Sequence, residues 1–245
     1  MRFLFSPPAD TATGLLTLPW QQPLEEWLDD RLQEIPQRGI SRHVVRFVAE
    51  GGEVFALKEI PERLARREYA LLRRLNAAEI PAVSVLGVAI ERPDDLDAVL
   101  VTRFLDYSSS FRALFANPRG AHLTERLLDA QAELLSRLHL AGFLWGDCSL
   151  SNTLVRLEGA VPTAYLVDAE TGERHPTLSR GQRAYDVDLA RERVGAEMLD
   201  LRFGGLLPDD LDPIETSDSL PRRYEARWEA ITRSPGRRDR LPGRF

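Results

Sequence analysis

Gly142-Phe143-Leu144-Trp145-Gly146-Asp147-Cys148-Ser149-Leu150-Ser151-Asn152-Thr153-Leu154-Val155 is the stretch on which the reading of this chain turns. It follows a helical pattern and precedes a strand pattern, so Asp147 and Asn152, five residues apart, sit in a loop. Residues 153–157 read as a strand, Glu158-Gly159-Ala160-Val161-Pro162 as a turn, and residues 164–167 as a second strand ending at Asp168. A hairpin of that length returns Asp168 to the neighbourhood of Asn152. Asn152 and Asp168 then offer oxygen atoms of the kind Mg²⁺ takes, which leaves Asp147 to meet a hydroxyl.

Working upstream, residues 124–140 predict a helix with the stripe Leu127, Leu128, Gln131, Leu134, Leu135 and Leu138. Thr124 is the expected cap and Gly142 the expected stop. Residues 43–49 and 53–60 flank Gly51-Gly52 and predict a hairpin. Pro61 suits the start of a helix reaching Asn76, and short strands are expected over 31–35, 81–90 and 98–105. On that helix Glu68 falls among Leu64, Leu71, Leu72 and Leu75. A carboxylate on an apolar stripe needs a buried cation, and Lys58, at the end of the preceding strand, is the natural partner.

Lys58 is also the single lysine beside 31 arginines. Lysine is a compact point charge and arginine a broad planar fork, so a tight slot against a phosphate would select lysine. Downstream, residues 186–201 predict another helix. Residues 1–29 show no clear period and read as an irregular lead-in, and 221–245 as an Arg-rich tail, a helix followed by a linker-like end.

The 245 residues, 43% apolar, suffice for one large domain or two small lobes. A net charge of −6 argues against nucleic acid as a partner. No apolar run approaches the length of a transmembrane segment, and the N-terminus lacks a signal-peptide pattern. One cysteine, Cys148, excludes an intrachain disulfide, and with no histidine at triad spacing it does not read as a nucleophile. His139, ending an apolar helix, reads as a packed core histidine. A cytoplasmic protein is expected.

Val54-Phe55-Ala56-Leu57-Lys58 resembles the strand-lysine motif of protein kinases. Glu68 is similar to the helix glutamate that pairs with that lysine. Asp147-x-x-x-x-Asn152 resembles the catalytic loop, and Asp168-Ala169-Glu170 stands where kinases carry Asp-Phe-Gly. The order fits a protein-kinase-like fold over about residues 30–205, and Trp145-Gly146-Asp147 with a small C-terminal part resembles the bacterial lipopolysaccharide (Kdo) kinase-like family. The resemblance implies an α+β, two-lobe fold: an N-lobe over 30–105 with a small antiparallel sheet and one helix, then a mainly helical C-lobe over 106–220 carrying the catalytic hairpin.

It also implies ATP and Mg²⁺ as cofactors and a hydroxyl-bearing acceptor, glycan or small molecule. Lys58 would hold the phosphates, oriented by Glu68. Asn152 and Asp168 would bind the metal, with Asp147, Lys58 and Asn152 catalytic. Gly39, Ser41 and Arg42 would cover the phosphates, and backbone at Arg103 and Leu105 would meet adenine. Asp186 or Asp188 resembles the aspartate that braces the catalytic loop. Ala169 in place of Phe, and Trp145-Gly146 in place of His-Arg, imply constitutive activity. A pseudokinase or nucleotide-gated scaffold, and an aminoglycoside-type or protein Ser/Thr kinase, stand as alternatives. Some members of the group carry a further domain, so one beyond Phe245 is an option.

Overall fold

The computed structural model describes residues 1–5, 9–35, 42–116, 123–159 and 161–233. These form two units, residues 1–76 with 83–106 and residues 77–82 with 107–245.

Unit 1 is built on an all-antiparallel, six-stranded sheet in the order β1-β5-β6-β4-β3-β2. Its elements are β1 (Arg2–Phe5), α1 (Ala9–Leu16), β2 (Leu32–Gln33), β3 (Val44–Glu50), β4 (Glu53–Ile60), α2 (Glu62–Ala77), β5 (Val85–Ile90) and β6 (Ala98–Arg103). The Gly51-Gly52 hairpin forms as expected, with both glycines in the left-handed region that this turn demands. Central β4 alternates at its middle: Phe55 and Leu57 are buried on one face, and Lys58 lies on the other, with buried Ile60 two residues on.

The expected irregular lead-in over 1–29 is a folded part of this unit. β1 pairs with β5, more than 80 residues away in the chain (Arg2↔Ile90, Phe5↔Gly87). Leu15, Leu18, Trp20, Leu24 and Trp27 are buried against Phe55, Leu57, Val99 and Val101. Trp20 meets Phe3 and Trp27 edge-on, with ring centroids 5.2 and 5.3 Å apart. Arg92, its side chain fully buried, ties the segment down: it donates to the carbonyls of Trp20, Gln22 and Asp97 and pairs with Glu59. Short elements rich in proline have no period to detect, which is why the sequence left this segment unstructured.

Unit 2 contains β7 (Ser108–Ser110), α3 (Phe111–Phe115), α4 (Thr124–Leu140), β8 (Phe143–Leu144), β9 (Thr153–Glu158), β10 (Val161–Leu166), β11 (Glu173–Arg174), α5 (Arg180–Phe203), α6 (Pro213–Asp218) and α7 (Leu220–Arg233). The expected stripe of α4 is buried, Gln131 included. Thr124 is its first residue rather than its cap, and its buried hydroxyl makes no cap bond. Gly142 stops α4 with φ of 77°, and a Cβ there would lie 2.1 Å from the His175 carbonyl oxygen, so only glycine fits. The hairpin β9–β10 forms with Thr153 opposite Leu166. The helix expected over 186–201 is longer, opened by a Ser179/Gln182 capping box. The Arg-rich tail begins with α7, whose Leu220 and Tyr224 are buried.

Candidate active site

In unit 1, β4 and α2 bring Lys58 and Glu68 together. The Lys58 Nζ lies 3.2 Å from Glu68 Oε2, with the side chains 14% and 1% exposed. Glu68 is thus inside the apolar stripe, as the sequence suggested, and its charge is met by the chain's single lysine. At the expected adenine edge, the Arg103 amide is already given to the Ser84 carbonyl at 2.8 Å, and the Phe104 amide to Val54. A ligand contact at Arg103 is therefore left to its carbonyl. Arg42 lies in an exposed bend before β3, and Leu105 just beyond β6. Gly39 and Ser41 fall outside the described residues.

In unit 2, the catalytic-type loop leaves β8 at Leu144 and enters β9 at Thr153. Gly146, with φ of 77°, supplies the left-handed step immediately before Asp147. The Asn152 Nδ2 donates to Asp147 Oδ2 at 3.0 Å and to the Asp147 carbonyl at 3.2 Å. Because the amide nitrogen is committed there, the Asn152 carbonyl oxygen is turned away from Asp147 as an acceptor. The Val167 amide donates to the main-chain carbonyl of Asn152 at 3.1 Å, which continues the hairpin register by one pair and sets Asp168 just past it. The Asp168 Oδ1 accepts from the Glu170 amide at 2.8 Å, which holds the carboxylate in one rotamer. Asp147, Asn152 and Asp168 are therefore gathered at one end of the ribbon.

Helix α5 is the ruler for this loop. Asp186, Arg193 and Glu197, at i, i+7 and i+11, lie along one face. Fully buried Asp186 accepts from the Trp145 and Gly146 amides, both at 2.7 Å, and from His139 Nε2 at 3.0 Å. This makes Asp186 the brace and leaves Asp188 exposed. Arg193 Nε lies 3.4 Å from Asp147 Oδ1. Glu197 Oε2 accepts from the Ser151 hydroxyl at 2.6 Å, and Arg112 Nη1 stands 3.7 Å from the same carboxylate.

Arg193 and Glu197 went unnoticed in the sequence, although their helical spacing from Asp186 carries the signal. Trp145 is buried and also donates through Nε1 to the Asp168 carbonyl at 2.9 Å, and so joins the two aspartate segments. Cys148 is buried beside Gln131, and burial pushes its thiol well above the usual value, so it is no nucleophile.

Among the described residues no three His, Cys, Asp or Glu converge as a metal cage. A pair of protein oxygens, one from Asn152 and one from Asp168, is instead the donor set of a site in which Mg²⁺ keeps waters and takes phosphate oxygens, so these residues fit the ion. Among the described residues no helix is long and apolar enough to cross a membrane.

Comparison with known proteins bears on the fold and the family. Two solved structures share the fold. One, described as WaaP in complex with acyl carrier protein, is 17% identical over 94% of this chain and 100% of that one, with a TM-score of 0.53. The other, an aminoglycoside-3'-phosphotransferase of type VIII, is 16% identical over 96% of each chain, with a TM-score of 0.58. No curated protein matches the sequence. Residues 53–194, which run from the lysine strand through the loop to the middle of α5, match the lipopolysaccharide kinase (Kdo/WaaP) family. The α+β architecture is accordingly that of the kinases, and the chain belongs to the Kdo/WaaP family of lipopolysaccharide kinases.

Proposed function

We propose that this protein transfers the γ-phosphoryl group of ATP to a hydroxyl of a glycan acceptor in the cytoplasm, with Mg²⁺ as its metal. Lys58, oriented by Glu68, holds the α- and β-phosphates. Asn152 and Asp168 hold the ion, which when bound neutralises phosphate charge. Asp147 accepts the proton of the acceptor hydroxyl as its oxygen bonds to the γ-phosphorus. The bond from phosphorus to the β,γ-bridging oxygen breaks, and ADP leaves. Arg193 sets the second oxygen of Asp147 and adds positive charge beside it, in a loop that has none of its own from Asp147 to Asn152. Arg42 and the backbone of Arg103 and Leu105 are assigned to the nucleotide. Gly39 and Ser41 are assigned to it from the sequence alone.

The observation that carries this reading is the Asn152 amide bonded to the Asp147 carboxylate at 3.0 Å, at the mouth of the hairpin that presents Asp168. One side chain thereby serves two roles, aiming the base and offering an oxygen to the metal. The glycan acceptor rests on the family's description. Melting curves with ATP, with and without Mg²⁺, on the wild type, Lys58→Ala and Asp168→Asn test the nucleotide half. Saturation near 100 times the Kd stabilises by about 2.7 kcal/mol. The wild type should shift with Mg-ATP and both variants should not. Transfer of labelled phosphate from ATP into glycan fractions tests the acceptor, and label appearing in peptides instead would overturn that part.

A further inference from the structure

The brace Asp186 is itself held from a distance. Three N–H groups converge on its buried carboxylate, two from the loop backbone and one from His139 Nε2. A neutral imidazole has a single N–H, so His139 supports Asp186 only in the tautomer protonated at Nε2. The other ring nitrogen, Nδ1, lies 2.8 Å from the hydroxyl of Tyr224 on α7. Burial pushes the Tyr224 phenol up from its ordinary value, so its proton is retained. The Arg183 guanidinium lies 4.1 Å from the centre of the neighbouring Trp228 ring. In the tautomer protonated at Nε2 the His139 Nδ1 carries only a lone pair, so the Tyr224 hydroxyl donates to it. The direction of the chain follows: Tyr224 donates to His139, His139 donates to Asp186, and the Asp186 carboxylate also accepts from the Trp145 and Gly146 amides.

We propose that Tyr224 and His139 are positioning residues for phosphoryl transfer: the Tyr224 hydroxyl fixes the His139 tautomer, and through Asp186 that tautomer sets the backbone step that presents Asp147. His139 and Asp186 lie within the residues that match the family, 53–194, and Tyr224 on α7 lies outside them. The effect on catalysis rests on the phosphotransfer reading, whereas the tautomer does not.

Two measurements on the full chain separate these. The first is imidazole nitrogen NMR of histidine-labelled protein, with the His139 signals identified by their loss in His139→Gln. The wild type should hold one tautomer, protonated at Nε2, and Tyr224→Phe should gain the Nδ1–H form. The second is turnover of Mg-ATP to ADP. Tyr224→Phe, which keeps the ring and the packing, should lower kcat by about tenfold to a hundredfold with the KM for ATP unchanged. His139→Gln, which keeps an N–H near the Nε2 position, should retain more kcat than His139→Leu at equal melting temperature. An unchanged tautomer in Tyr224→Phe would overturn the proposal whether or not the wild type turns over ATP. So would an unchanged kcat beside an active wild type, or a His139→Gln no better than His139→Leu. An inactive wild type with the tautomer shift intact would sink the phosphotransfer reading instead.

Discussion

Lys58 and Glu68 in unit 1 are ten residues apart and meet between a strand and the next helix, whereas the loop of Asp147 in unit 2 is held from α4, α5 and α7, by residues as far as 85 positions apart. The first arrangement is local, and what fixes it is the cost of burying charge: each side chain is there because the other is. The second is distributed, and what fixes it is overlapping hydrogen bonds on a backbone loop, in which no single bond carries the geometry. The two regions should therefore fail differently. Loss of one partner in unit 1 should register as lost stability, and loss of one brace in unit 2 as lost rate.

The largest effect is expected where the loop delivers its chemistry. Asp147→Asn should lower transfer by about two to four orders of magnitude, the range for a positioned general base, while leaving the Mg-ATP melting shift in place. Retained transfer would remove Asp147 from its role.

The sharpest test of the contrast is Lys58→Ala, which removes the cation beside a carboxylate buried in an apolar stripe and should destabilise by about 3 kcal/mol in denaturant melts. The double variant Lys58→Ala/Glu68→Leu should recover much of that stability and none of the nucleotide binding. A double variant no more stable than the single would show that the pair is not what holds α2 to β4.

Gly142→Ala probes the loop's entry. The left-handed conformation alone costs about 1–2 kcal/mol, and the close approach to the His175 carbonyl adds to it, so a clear drop in melting temperature is expected.

Arg193→Ala touches only one of the contacts on Asp147. It should cost about tenfold in kcat with little change in melting temperature, and Arg193→Lys should recover part of it. Equal loss in both variants would mean that the charge near Asp147 is not what matters.

The smallest effect concerns Cys148. Its thiol is pushed up by burial, so little thiolate exists near neutral pH, and disulfide reagents should label it only after unfolding. Rapid labelling of the folded protein would show that the loop opens.

How much of this was legible depends on the range of the interaction. Lys58 and Glu68 could be paired from the sequence because strand and helix periods, applied ten residues apart, place both side chains on buried faces. The β9–β10 hairpin was legible for the same reason, and with it the meeting of Asn152 and Asp168. His139 was read as core, which it is, and Trp145 is buried too, but their polar atoms also hold Asp186 and Asp168, and a hydrophobicity pattern says nothing of where a ring nitrogen points. Residues 1–29 were misread because β1 gains its structure from β5, a partner more than 80 residues on.

The sequence by itself determined the strand of Lys58, the helix of Glu68 and the hairpin after the Asp147 loop, because each is set by local periodicity and turn chemistry, while the lobe order and the loop's catalytic type came from the resemblance to kinases. Only the tertiary structure decided that the N-terminal segment completes the sheet, that Asp186 rather than Asp188 is the brace, and that Arg193, Glu197 and Tyr224 serve the loop. Those outcomes follow from which distant groups are available to satisfy buried polar atoms, and that is settled by packing rather than by any pattern along the chain.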